Sequence, residues 1–68
     1  MKMTYQAGQA MRRARRRLGW TQFELARRVG CSESQIARIE TGRAINPARW
    51  LKEALARELE IKTWEVGL

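Results

Sequence analysis

Residues Thr21 to Gly42 read T-Q-F-E-L-A-R-R-V-G-C-S-E-S-Q-I-A-R-I-E-T-G. Leu25, Ala26 and Val29 recur at helical spacing and make one apolar stripe. Gly30 can take the positive φ that ends a helix, and Ser32 can cap the next one. Ile36 and Ile39 then make a second, shorter stripe. The pattern predicts two short helices crossing at a tight turn. Glu33, Ser34, Gln35 and Arg38 are left on the outer side of the second helix.

Outside this stretch the reading is helical in both directions. Ala7, Ala10, Met11, Ala14 and Leu18 are spaced three and four apart, which predicts a helix from about Gln6 to Leu18, stopped by Gly19. Trp20 falls in the link. Thr21, three positions before Glu24, matches a capping box at the start of the next helix. After Gly42, residues Arg43 to Asn46 read as a loop. Asn46-Pro47 reads as a helix start, with asparagine as cap and proline at the first helical position. A fourth helix follows, with Trp50, Leu51, Ala54, Leu55 and Leu59 on its inner face and Arg49, Lys52, Glu53, Arg57 and Glu58 on its outer face. Ile61, Trp64 and Val66 continue as a short turn capped by Thr63, before Gly67. No repeat, linker or strand pattern is found. The expected fold is all-α, a compact bundle of four to five short helices in one domain, residues 1–68, with the helix pair at about 21–42 at its centre.

Composition narrows the function. With 68 residues the chain has a small core near the lower limit for independent stability. The single Cys31 cannot form an internal disulfide, and without histidine or aspartate there is no metal-ligand cluster to propose. No serine or cysteine has a base beside it, so no catalytic constellation emerges and no cofactor is called for. No segment approaches the roughly 20 apolar residues of a membrane span, and no secretory signal is seen. A cytoplasmic, non-enzymatic protein is expected. Residues 1–23 hold Lys2, Arg12, Arg13, Arg15, Arg16 and Arg17 and no acid, so +6 of the net +7 lies there. Such a field attracts polyanions without choosing among DNA, RNA and acidic membrane.

The chain resembles the lambda-repressor-like helix-turn-helix family, of the phage repressor and Cro type. The resemblance is carried by Thr21, Gln22, Leu25 and Ala26 (T-Q-x-x-L-A), by Gly30 with Ser32, and by Ile36, Ile39, Glu40 and Gly42 (I-x-x-I-E-x-G). It extends through Pro47 and the fourth helix. It implies that the third helix enters the major groove of double-stranded DNA, with Glu33, Ser34, Gln35 and Arg38 reading bases. It also implies contacts to the DNA backbone from Gln22, Thr21, Ser32 and Arg43, and an ion pair between Arg15 and Glu40 that positions the third helix. A homodimer on two-fold-related half-sites is implied as well, with Ile61, Trp64 and Val66 as interface candidates.

Each role has a plainer alternative. Arg38 has no acid three or four residues away, which favours base or phosphate contact over a helical ion pair. Glu33 can accept from a cytosine amino group or simply favour the helix dipole. The consecutive arginines cannot all face DNA, because a helix spreads them around its circumference. Phe23 departs from the usual polar residue after the glutamine, and packing against Trp20 or Leu18 is its default. Trp50 and Trp64 read as core or dimer residues, and Cys31 as a small turn residue. The leading function is a sequence-specific DNA-binding regulator, a repressor. An antitoxin acting on its own promoter, which would add a toxin partner, and a protein-interaction module that has lost base reading are the competitors. A membrane-surface helix at Arg12 to Arg17 leaves the rest of the chain unexplained.

Overall fold

The computed structural model describes residues 4–43 and 46–66. Ala44 and Ile45 of the expected loop, and Gly67, lie outside them. Four α-helices and a final 3-10 turn follow in order: α1 Tyr5–Arg17, α2 Gln22–Val29, α3 Glu33–Glu40, α4 Arg49–Leu59 and the turn Thr63–Val66. They enclose one core, in which Met11, Leu25, Ile36, Ile39, Leu55, Leu59 and Val66 are fully buried.

The first helix begins one residue earlier than its apolar pattern suggested, because Thr4 caps it. The Thr4 hydroxyl oxygen accepts from the Ala7 N–H at 3.0 Å. Gly8, which that pattern skipped, faces α3. A Cβ at Gly8 would fall on the carbonyl oxygen of Ile39, so α1 and α3 pack backbone to backbone only because position 8 has no side chain.

The start of α4 differs from expectation. Ala48 occupies the N-cap position without a side-chain bond, and the helix begins at Arg49. Pro47 is buried in the segment before the helix rather than in its first turn. The face of α4 is also rotated relative to the reading. Trp50 is 56% exposed, whereas Lys52 is buried. At 100° per residue, Lys52 lies three before Leu55 and seven before Leu59, within the buried arc, while Trp50 lies on the far side. In the final turn Thr63 is not the cap. Instead the Glu65 carboxylate accepts from the Lys62 N–H at 3.0 Å.

Candidate nucleic-acid interface

The crossing of α2 and α3 is built from local bonds. Thr21 and Glu24 close a capping box: the Thr21 hydroxyl oxygen accepts from the Glu24 N–H, and the Glu24 carboxylate accepts from the Thr21 N–H, each at 3.0 Å. These bonds hold the Glu24 carboxyl below its ordinary pKa, the backbone bond contributing most. At the other end Gly30 adopts φ +83°, and both its N–H and that of Cys31 donate to the Ala26 carbonyl. Ser32 turns the chain into α3, its hydroxyl oxygen accepting from the Gln35 N–H at 3.1 Å. Cys31 in the turn is half-buried, and that burial raises its thiol pKa, the opposite of an activated thiolate.

The pose of α3 is fixed from behind by a polar cluster centred on buried Glu40. Arg15 donates through Nε to Glu40 Oε2 at 2.6 Å and through Nη2 to Oε1 at 3.1 Å, while its Nη1 holds the Trp20 carbonyl at 2.8 Å. The Gln9 amide donates to the Glu40 backbone carbonyl at 3.1 Å. One guanidinium thus ties together α1, the link before α2, and the C-terminal end of α3.

Gln22 joins this cluster, its Nε2 donating to Glu40 Oε1 at 3.0 Å. The resemblance pointed to Gln22 and Glu40 separately and missed their bond, since eighteen residues separate them and no spacing rule relates them. One amide hydrogen of Gln22 is thereby held inward, leaving the second hydrogen and the carbonyl oxygen for other partners.

On the opposite side of α3, Glu33, Ser34 and Arg38 are exposed and Gln35 is half-buried. Among the described residues their side chains make no hydrogen bond or ion pair within the chain. Arg43 is exposed just past the helix, its N–H donating to the Arg38 carbonyl at 2.7 Å. The Thr21 and Ser32 hydroxyls accept from their own helices and keep an O–H to donate.

The aromatic residues are placed differently from the reading. Phe23 is 52% exposed and does not pack inward, because it lies across α2 from the Leu25 and Val29 stripe; the Arg27 guanidinium lies 5.9 Å from its ring centre. Trp20 packs against the core with the Arg28 guanidinium 4.1 Å above its ring. Trp64 is 70% exposed, so neither it nor Trp50 is a core residue. Val66, expected beside Ile61 and Trp64 on a dimer surface, is wholly buried in this chain's own core and has no surface to offer. Ile61 is half-buried against that core.

Among the described residues no group of three histidine, cysteine, aspartate or glutamate side chains could hold a metal ion. No helix among them is long and apolar enough to cross a membrane.

A glycine-turned helix pair with its second helix braced from behind and bare in front defines a helix-turn-helix DNA-binding protein. The family model described as a helix-turn-helix domain matches residues 6–62, and the chain belongs to that family, in its lambda-repressor-like branch. Its members are DNA-binding transcription regulators, not enzymes. Three solved structures illustrate the likeness. The restriction-modification controller protein C.AhdI from Aeromonas hydrophila is 30% identical, over 90% of this chain and 91% of that one, with a TM-score of 0.79. The master regulator for biofilm formation SinR, in complex with DNA, is 26% identical over 85% and 92%, with a TM-score of 0.77. The hypothetical transcription factor NHTF from Neisseria is 27% identical over 97% and 79%, with a TM-score of 0.79. No curated protein matches the chain.

Proposed function

We propose that the chain is a sequence-specific repressor that binds a two-fold-related operator in double-stranded DNA as a homodimer. The carrying observation is the outer face of α3, where Glu33, Ser34, Gln35 and Arg38 have no hydrogen-bond or ion-pair partner for their side chains among the described residues, on a helix held by the Arg15 and Glu40 pair. Arg38 suits the O6 and N7 acceptors of guanine, Gln35 an adenine edge, and Glu33 a cytosine amino group. Thr21, Gln22, Ser32 and Arg43 surround that face with donors for phosphate oxygens. The likeness to the controller protein C.AhdI, over 91% of that chain, supports the reading as a regulator.

The test is selection from a random duplex library at moderate salt, where charge alone retains little DNA. Enrichment of a two-fold-related sequence is expected, and the same selection with Arg38→Ala is expected to lose preference at one position of each half-site. A folded protein that enriches nothing would overturn base reading and leave a partner-dependent or protein-binding module. An antitoxin would enrich its own promoter and also capture a toxin.

A further inference from the structure

We propose, on the reading above, that Arg12 and Arg16 of α1 form a further DNA-backbone contact, lying outside the helix-turn-helix itself and holding phosphate oxygens beside the reading helix. Tyr5, Gln9, Arg12 and Arg16 follow one another at intervals of four, three and four residues and so share one face of α1. Two contacts fix where that face lies. The glycine at position 42 is so close to Tyr5 that a Cβ there would stand 3.3 Å from the Tyr5 Cα, and Gln9 holds the Glu40 carbonyl at 3.1 Å. The row therefore starts at the C-terminal end of α3, near Arg43. It ends beside Arg15, which holds the Trp20 carbonyl just before Thr21 and Gln22. It thus connects the two groups of backbone-contact candidates.

The outward direction follows from the packing order around each helix. On α1 the core residues Ala7, Met11 and Ala14 are followed by Gly8 and Arg15, which meet α3, and beyond these comes the row. On α3 the core residues Ile36 and Ile39 are followed by Glu40, which meets α1, and beyond it come Thr41, Ser34 and Arg38. Two helices sharing a core turn the flanks beyond their contact line to the same side. Arg12 and Arg16 consequently border the outer face of α3, whereas Arg13 and Arg17 lie further round, toward open solvent.

The charges on this row are unspent. Among the described residues no carboxylate pairs with Arg12 or Arg16, and α1 carries no acid. Arg12 is half-buried, with its Nε shielded from solvent and lacking an acceptor. A guanidinium partly held by packing loses less side-chain freedom on meeting an anion, and its fork suits phosphate.

The experiment measures the full chain binding to duplex DNA across a salt series, comparing R12Q/R16Q with R13Q/R17Q. Both variants remove two charges, so a diffuse field would affect them alike. The expected result is that the slope of log affinity against log salt becomes shallower by about 2 for R12Q/R16Q, at about 0.9 per phosphate contact, and stays nearly unchanged for R13Q/R17Q. Equal changes in the two variants, or none, would overturn the proposal. Circular dichroism melts confirm folding; if R12Q/R16Q does not fold, Arg16→Gln at the exposed position replaces it, with an expected change of about 1. A mixed-sequence duplex serves as the probe as well as a selected site, because the slope counts phosphates. The contact is therefore tested separately from sequence reading: a selection that enriches nothing overturns the repressor and leaves this measurement intact.

Discussion

Among individual residues, Arg15 carries the most structural consequence. It is buried together with Glu40, and a buried ion pair is weak evidence of net stability because both charges have left water. Removing one partner is another matter. Arg15→Ala leaves the Glu40 carboxylate buried with Gln22 as its remaining side-chain donor, and should cost about 3 to 5 kcal/mol, a large share of the stability available to so small a domain. Replacing both residues, as Arg15→Met with Glu40→Met, should recover most of that loss. Denaturant unfolding of the two variants checks this. A loss under about 1 kcal/mol in the single variant would mean that water replaces the lost donors and that the cluster does not brace α3. The same variants warn against a false functional reading: weak DNA binding by Arg15→Ala reports unfolding unless its melt is shown to be normal.

At the level of helices, what was legible in the sequence was what is local. The capping box of Thr21 and Glu24, the Gly30 turn and the Ser32 cap depend on residues within four positions of one another, and all three form. The start of α4 was not legible, because Asn46-Pro47 is a good start signal that tertiary packing overrides by burying Pro47. The rotation of α4 was missed because Trp50 looks more apolar than Lys52, although the arc centred on Leu55 places Lys52 inside. The Gln22 to Glu40 bond depends on tertiary approach and left no pattern to find. The box also makes a prediction about pH. Its bonds lower the Glu24 pKa in the folded chain below the ordinary 4.5, so the folded state binds fewer protons there than the unfolded state. The carboxylate's contribution is therefore fully present above about pH 4.5 and is lost as pH falls through the lowered folded pKa. Glu24→Gln should melt below the parent at neutral pH, with the gap closing as pH falls toward 3. A gap independent of pH would show that the ionised carboxylate is not the stabilising form.

For the whole molecule, the question is how a chain with one small core comes to leave large aromatic side chains in water. Trp64 at 70% exposure and Trp50 at 56% are mostly outside the monomer's own packing, and of the roughly 150 to 250 Å² that an aromatic side chain can bury, more than half on each is left for association. The burial of Val66 anchors the final turn to the core and so gives the exposed Trp64 a fixed mount rather than a loose tail. If the homodimer proposed for operator binding forms through this end, Trp64→Glu should shift sedimentation to the monomer. Its thermal midpoint at concentrations too low for dimers should stay near that of the parent, because no core contact is lost. Binding to a two-fold-related operator should weaken far more than binding to an isolated half-site, since the second half-site is then no longer tethered to the first. A variant that remains dimeric would move the interface away from Trp64, to Trp50 or to the exposed Phe23 and Arg27 face of α2. The α1 arginines would be unaffected by either outcome, as their contact belongs to one protomer and one half-site.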